Sequence, residues 1–290
     1  MNQIATHMPS GLGAIVDEVD LILMDLWGCM HDGIAAYPAA RDCLHRLKER
    51  NIPVALLSNA PRRTEAVRPR LREMGIGDDL YAGFYTSGEE VWGHLARRDT
   101  DAYRALGRRT YAIFAEHDRV FFDGLDLALV EDVAAADFLL AIGVSGPAVT
   151  VADFDAVLAG ARARDLPLVC ANPDLVVHRG GVAEICAGAL AEDYRRRGGR
   201  IVIEGKPYPD IYRRVMADFG VTEPGRVLGI GDALRTDVAG AAGIGARSLL
   251  IAGGIHHGEL LRSGEVDATA LARLSEVGPR PDFALPYLRW

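Results

Sequence analysis

The chain has 290 residues, a length that fits one large domain or two smaller ones. Its 49% hydrophobic and 25% charged residues give the composition of an ordinary soluble globular protein. The formal net charge of -8 argues against general binding to a nucleic-acid backbone, because such binding requires a basic face.

The sequence also argues against a membrane or secreted protein. No apolar run is as long as a membrane span, and residues 1–17 lack the basic segment and apolar core of a signal peptide. The four cysteines show neither a C-x-x-C pair nor the spacing of a zinc site, so we expect buried free thiols and a cytoplasmic protein. These cysteines are Cys29, Cys43, Cys170 and Cys186.

Strands and helices alternate in the first part of the chain, with short links between them. A short helix within 10–19 precedes an apolar strand that ends at Asp25. A helix that begins at Pro38, a strand over 53–57 and a helix that begins at Pro61 follow. This order of elements is typical of a parallel sheet.

From about Arg108 the pattern changes to short strands with one helix among them. These strands are predicted over 111–114, 127–130, 138–142 and 168–170, and the helix over 151–163. We expect a second, smaller α/β unit here, inserted into the first, and a helix over 182–197 that leads back. The prediction assigns 1–105 and 183–290 to a core domain and 106–182 to the inserted domain.

The last part of the chain returns to the strand and helix alternation of the first part. Its predicted strands cover 200–203, 226–230 and 246–252, and its predicted helices cover 209–219 and 236–242.

Polar side chains follow four of the predicted strands at the point where each strand ends. These residues are Asp25, Ser58, Lys206 and Asp232, and Asp237 comes five residues after the last of them. Because the carboxyl ends of parallel strands lie at one edge of a sheet, we expect the side chains to meet there.

Such a set suits the transfer of a phosphoryl group to a carboxylate. One carboxylate can attack phosphorus, and a second can help to bind Mg2+. A serine hydroxyl and a lysine ammonium can hold the remaining oxygens. The helix predicted to begin at Pro61 would add N-terminal N–H groups to the same phosphate site.

At this point the motifs resemble those of the haloacid dehalogenase (HAD) superfamily of phosphatases, in its class IIA or NagD-type branch. The matching segments are 25–28, 57–61, 205–207 and 231–237, together with Ala171-Asn172-Pro173-Asp174 near the end of the insert. The resemblance implies a Rossmann-like α/β core with a doubly wound, mostly parallel sheet, and an inserted α/β cap domain.

The resemblance also implies a role for each matching residue of the core. Asp25 would be the nucleophile and a metal ligand, with the backbone carbonyl of Trp27 and the Asp232 side chain as further Mg2+ ligands. Asp237 would orient either the metal's water ligands or Lys206, and Lys206 would assist catalysis.

Other matching residues are implied to bind the substrate. Ser58 and Asn59 would hold the phosphate, and Asn172 and Asp174 would shape the cap side of the pocket. The Trp27 indole can either stack on a ring of the substrate or pack against the protein.

One position departs from the family pattern, in which the first motif reads Asp-x-Asp. The second Asp, which protonates the leaving group and activates water, is replaced by Trp27. General acid–base catalysis is worth roughly 10²–10⁴-fold, so we expect slow turnover of poor leaving groups. His31, Asp32 or a water could substitute, although both residues also fit a simple turn.

The main hypothesis is therefore a Mg2+-dependent phosphatase that forms an aspartyl-phosphate from a small phosphorylated metabolite. Sugar phosphates, nucleotides and pyridoxal phosphate remain open as substrates. The oligomeric state is open too, with a homodimer suggested only by the resemblance. The alternative is a catalytically impaired relative that binds a phosphorylated metabolite or a partner. A phospho-acceptor signalling domain fits poorly, because it needs neither a cap nor a Gly231-Asp232 motif.

Overall fold

The computed structural model describes residues 5–144, 146, 148–179, 182–276 and 278–290. The chain divides into two compact units. The first unit comprises Met1–Ser58, Val67–Tyr85 and Lys206–Trp290, and the second comprises Asn59–Ala66 and Thr86–Gly205. The predicted insert 106–182 lies within the second unit, which also takes in 86–105 and 183–205.

The strands are short and occur along the whole chain. They are β1 (Leu21–Met24), β2 (Val54–Ser58), β3 (Gly83–Thr86), β4 (Arg109–Ile113), β5 (Ala128–Leu129), β6 (Phe138–Ala141), β7 (Leu168–Cys170), β8 (Val176–Arg179), β9 (Val182–Ile185), β10 (Ile201–Ile203), β11 (Val227–Gly231), β12 (Arg247–Ile251), β13 (Leu261–Arg262), β14 (Glu265–Val266) and β15 (Phe283–Leu285).

Helices connect most of these strands. The α-helices are α1 (Pro38–Glu49), α2 (Thr64–Glu73), α3 (Ser87–Arg97), α4 (Asp101–Arg104), α5 (Asp155–Ala163), α6 (Ala187–Arg196), α7 (Pro209–Asp218), α8 (Ala239–Gly243), α9 (His257–Leu260) and α10 (Ala268–Leu274). The lead-in helix predicted within 10–19 is only a 3-10 turn at Leu12–Ala14, and a π-helical turn at Leu234–Val238 precedes α8. None of the helices within the described residues has the length and apolar character that spanning a bilayer requires.

The main sheet has six strands in the order β15-β12-β11-β1-β2-β3. The pairs β1–β11, β1–β2, β11–β12 and β12–β15 are all parallel. From the centre the chain adds β1, β2 and β3 toward one edge, and later β11, β12 and β15 toward the other. The predicted doubly wound, mostly parallel sheet is therefore confirmed.

Both faces of this sheet are buried. Alternate residues of β1 enter two different clusters, with Ile22 and Met24 on one face and Leu21 and Leu23 on the other. Helix α1 covers the first face and α7 covers the second. Burial on both sides explains why β1 is a continuous apolar run rather than an alternating one.

The second unit has its own parallel sheet, with the order β10-β7-β6-β4-β5. Leu139 and Ala141 of β6 pack on the face that α5 and α6 cover. Phe138 and Leu140 pack on the face that α3 covers. The second unit is thus an α/β structure with two hydrophobic clusters of its own.

The sheet expected for one predicted strand and the start of one predicted helix are wrong. The strand before Lys206, β10, pairs with β7 in the second sheet and not with the main sheet. Its apolar sequence fits a buried strand of either sheet, so the pattern did not identify its neighbour. The helix predicted over 182–197 begins only at Ala187, because Val182–Ile185 pairs antiparallel with Val176–Arg179. The β-branched residues of this segment favour such pairing.

Candidate active site

Two carboxylates lie at the carboxyl edge of the main sheet. Asp25 directly follows β1, and its backbone N–H donates to the carbonyl of Ile230 in β11 at 2.8 Å. Asp232 directly follows β11. The chain proceeds in opposite directions from these two neighbouring strands, and open α/β sheets bind ligands at such a switch point.

The Lys206 ammonium lies between two buried carboxylates. Its Nζ is 2.6 Å from Oδ1 of Asp25 and 2.6 Å from Oδ1 of Asp237. The structure therefore brings three predicted site residues into direct contact, although the strand before Lys206 belongs to the other sheet. Of the two roles foreseen for Asp237, the contact with Lys206 is the one that the geometry provides.

The Asp237 side chain is held from both sides. Its Oδ2 accepts a hydrogen bond from the backbone N–H of Ala233 at 3.1 Å, while Oδ1 faces Lys206. The residue lies in the π-helical turn Leu234–Val238. These two contacts fix the carboxylate and, through it, the position of the ammonium.

Asp232 lies in close contact with the backbone. Its Oδ2 accepts from the N–H of Ile255 at 2.7 Å, and a Cβ at Gly28 would come within 1.9 Å of the same oxygen. Gly28 also has a φ of 75°, a conformation that glycine adopts without strain. Burial, followed by the charges of Asp25 and Asp237, raises the pKa of Asp232 well above its usual range. A cation beside these carboxylates would offset that repulsion.

A group of donors suitable for a divalent cation is present. A carboxylate oxygen of Asp25, one of Asp232 and the Sγ of Cys29 all lie within 4.8 Å of one another, and all three residues are buried. Carboxylate oxygens are the ligands that Mg2+ prefers. The donor set therefore fits a divalent metal held by Asp25 and Asp232, and the Trp27 carbonyl stays a predicted ligand.

Sequence reasoning did not connect Cys29 with the site. The prediction that the cysteines are buried and free is confirmed for all four. Burial and the charges of Asp232 and Asp25 also raise the pKa of Cys29 well above its usual range. The available signal was its spacing, since it follows Asp25 by four residues across a turn at Gly28.

The Trp27 indole packs against the segment 29–36, which we call the flap. The indole meets the His31 ring edge-on, with 5.4 Å between ring centroids, and a Cβ at Gly33 would lie 2.4 Å from an indole carbon. The His31 Nδ1 accepts from the Gly33 N–H at 3.0 Å. The packing interpretation of Trp27 is thus supported, while contact with a substrate ring stays a prediction.

Neither His31 nor Asp32, the two flap residues that could replace the general acid, is a good acid at neutral pH. Asp32 Oδ1 accepts from the N–H groups of Ile34 at 2.8 Å and Ala35 at 2.9 Å, the pattern of a turn. The Ala35 and Ile34 hydrogen bonds lower the pKa of Asp32. Burial lowers the pKa of His31 from 6.5 to about 4, so its ring is neutral. The general acid of the family is therefore not replaced here by an evident proton donor.

The predicted phosphate and substrate residues divide between the two units. Ser58 is the last residue of β2, beside β1, and is buried. In the second unit, Asn59 Nδ2 donates to Asp174 Oδ1 at 2.8 Å, and the Asp174 N–H donates to Asn172 Oδ1 at 3.0 Å. The structure thus joins Asn59 to the Asn-Pro-Asp loop 115 residues further along the chain.

The N-terminus of the helix after Ser58 does not have the predicted arrangement. Helix α2 begins at Thr64, not at Pro61. The Thr64 N–H already donates to the carboxylate of Glu89 at 3.1 Å. Because an anionic side chain occupies this end of the helix, the helix start does not form the predicted phosphate site.

Comparison with known proteins identifies the family. Residues 22–128 match the family model for haloacid dehalogenase-like hydrolases, and residues 203–278 match a HAD-hydrolase-like model. A haloacid dehalogenase-like family hydrolase from Brucella suis 1330 is 33% identical, with a TM-score of 0.81, covering 97% of this chain and 100% of that chain. The chain belongs to the haloacid dehalogenase-like family of hydrolases.

Two other relatives of this haloacid dehalogenase-like hydrolase are informative. The ribonucleotide monophosphatase NagD of Escherichia coli K12 is 25% identical over 249 residues, or 83% of this chain and 88% of NagD. A possible sugar phosphatase of the HAD superfamily from Cytophaga hutchinsonii ATCC 33406 shares the fold, with a TM-score of 0.78, 16% identity and 98% of both chains covered. The predictions of an enzyme and of the NagD-type branch are confirmed.

Replacing Lys206 by Met should destabilise the protein by about 3–5 kcal/mol, because two buried carboxylates lose the cation between them. Lys48→Met is the matched control, since Lys48 pairs with Asp79 at 2.7 Å on the surface and its loss should change little. Urea denaturation at neutral pH measures both. Equal losses of stability in the two variants would contradict the buried charge contact.

The buried, neutral His31 should make stability depend on pH. The unfolded chain takes up a proton near pH 6.5 and the folded chain near pH 4, so stability falls as the pH drops through this window. The loss should approach roughly 3 kcal/mol at the acid end. His31→Asn keeps an acceptor for Gly33 but cannot titrate, and should show a shallower fall in urea denaturation between pH 7 and pH 4.

The control for this measurement is His45→Asn, which replaces an exposed histidine and leaves His31 in place. Parallel curves for wild type and His31→Asn would show that His31 does not cause the fall.

Proposed function

We propose that this hydrolase is a Mg2+-dependent phosphatase that cleaves a small phosphomonoester through an aspartyl-phosphate. The observation that carries the proposal is the contact of Lys206 with both Asp25 and Asp237, beside Asp232. It combines an oriented carboxylate nucleophile, a cation for phosphoryl oxygens and a second carboxylate that suits a metal. The names of NagD and of the possible sugar phosphatase support a nucleotide-like compound or a sugar phosphate as substrate.

Asp25 is the proposed nucleophile. The Lys206 ammonium at 2.6 Å from Oδ1 favours the ionised carboxylate and restricts its rotation. A carboxylate oxygen attacks phosphorus in line with the bond to the leaving group. The bond from phosphorus to the leaving oxygen breaks as the bond to Asp25 forms, which gives the aspartyl-phosphate and an alcohol or alkoxide.

Asp25 and Asp232 would hold the divalent cation, with the Trp27 carbonyl as a further proposed ligand. When bound, the cation would neutralise negative charge on the phosphoryl oxygens. Lys206 adds positive charge beside Asp25, and Asp237 keeps the ammonium in position. The buried setting strengthens each of these electrostatic contacts.

Water then attacks phosphorus of the aspartyl-phosphate. This step releases inorganic phosphate and restores the Asp25 carboxylate, and the proton of the attacking water passes to solvent or to the phosphate. Ser58 and Asn59 are the proposed side-chain donors to the phosphoryl oxygens, and Asn172 and Asp174 the residues that select the rest of the substrate.

Departure of the leaving group is the difficult part of this reaction. Trp27 cannot donate a proton, and neither Asp32 nor His31 is a good acid at neutral pH. The rate should therefore depend steeply on the acidity of the leaving group, with aryl phosphates cleaved much faster than alkyl phosphates.

Asp25→Asn should lower phosphate release from p-nitrophenyl phosphate with Mg2+ by about 10³-fold or more, because the nucleophile is lost. Asp42→Asn is the matched control, since Asp42 lies on the exposed side of α1 and pairs with Arg46. EDTA should abolish the wild-type activity. Equal rates in wild type and Asp25→Asn would exclude Asp25 as nucleophile, while ligand binding without release would favour the impaired-relative alternative.

Asp32→Asn should have a small and uniform effect across a series of aryl and alkyl phosphates, because its carboxylate serves the flap turn. The measurement is the slope of log(kcat/KM) against the pKa of the leaving group in wild type and variant. A selective loss with poor leaving groups would instead make Asp32 the general acid.

A further inference from the structure

The Cys29 thiol lies beside the two carboxylates that suit the metal. Its Sγ and one oxygen each of Asp25 and Asp232 are all within 4.8 Å of one another. Cys29 is 1% exposed, and Asp25 and Asp232 are each 7% exposed. Within the described residues, no hydrogen bond to the Cys29 thiol is found. A buried polar side chain is therefore directed at a pair of carboxylates.

The size of this group matches one metal ion. Zinc binds sulfur at about 2.3 Å and carboxylate oxygen at about 2.0–2.2 Å, so a tetrahedral ion separates its ligands by about 3.5 Å. Donor atoms that lie within 4.8 Å of one another can reach this spacing through small movements of their side chains. Three protein ligands with one open position are also the usual number at a reactive zinc site.

The backbone supports the position of these donors. A Cβ at Gly28 would lie 1.9 Å from Asp232 Oδ2, and one at Gly254 would lie 2.1 Å from the same oxygen. Glycines thus let two chain segments close around the Asp232 carboxylate. The segment that contains Gly28 continues directly into Cys29. The turn that contacts the Asp232 carboxylate therefore also positions the Cys29 thiol.

We propose that Cys29 is a sulfur ligand of this site, which lets the site take a thiophilic divalent cation, such as Zn2+ or Cd2+, in competition with Mg2+. Binding transfers the thiol proton to the buffer and leaves a metal-bound thiolate. Soft sulfur favours these ions, whereas Mg2+ gains little from it. The inference rests on the same metal site as the proposed function, but it does not depend on phosphoryl transfer.

The other cysteines have different surroundings. Cys43 shares a hydrophobic cluster with Cys29 but belongs to no group of metal donors among the described residues, and Cys170 donates through Sγ to the carbonyl of Asn172 at 3.2 Å. Within the described residues, no other group of three potential metal donors is found. Sulfur ligation should therefore occur at Cys29 alone.

The test is a Cd2+ titration of the full-length protein after chelator treatment. The ultraviolet charge-transfer band of cadmium bound to thiolate is the signal that is measured. The wild type should develop the band and saturate at one ion per chain. Cys29→Ser should lose the band and bind Cd2+ about tenfold or more weakly, while Mg2+ affinity falls by a smaller factor. Cys43→Ser is the matched control and should keep the band.

No band in the wild type, or a band that persists in Cys29→Ser, would overturn the proposal. If Cys29→Ser fails to fold, Asp232→Asn is the second variant, because it keeps the thiol and removes one carboxylate ligand. The band should then require a higher Cd2+ concentration to saturate. An unchanged titration would also overturn the proposal. Mg2+-dependent phosphatase activity without a band would refute only sulfur ligation. A band without activity would refute only the proposed phosphatase.

Discussion

The candidate site depends on two buried ion pairs, in which the Lys206 ammonium lies between the carboxylates of Asp25 and Asp237. Removing three charged groups from water is costly, and the cost is offset only when their contacts are short and fixed. Here the end of β1, a π-helical turn and the segment that follows the second sheet each supply one partner. The architecture of the first unit is what holds these three positions together.

A single ammonium does not neutralise the carboxylates gathered at this edge. Asp232 adds another, and its raised pKa reflects burial and the charges of Asp25 and Asp237. The local excess of negative charge favours the binding of a cation. A phosphate bound without a cation would be repelled by the carboxylates. A divalent cation and an anionic substrate bound here together would each lower the electrostatic cost of binding the other.

Much of the main sheet could be predicted because its strands are buried on both faces and read as apolar runs that end in polar residues. Asp25 and Asp232 were located in this way. The sheet of β10 could not be predicted, because strand pairing is a long-range choice. Nor could the Glu89 carboxylate at the start of α2 or the place of Cys29, since both depend on residues that approach only after folding.

The boundary between the two units has a consequence for how such an enzyme diversifies. The chain leaves the first unit directly after Ser58 and returns to it at Lys206, so two of its crossings fall at residues that the sequence predicts for the site. Exchanging the second unit as a module would place its junctions next to Ser58 and Lys206 in the chain, where a change of one residue in length displaces either side chain. Substituting side chains within the second unit leaves both of these junctions unchanged.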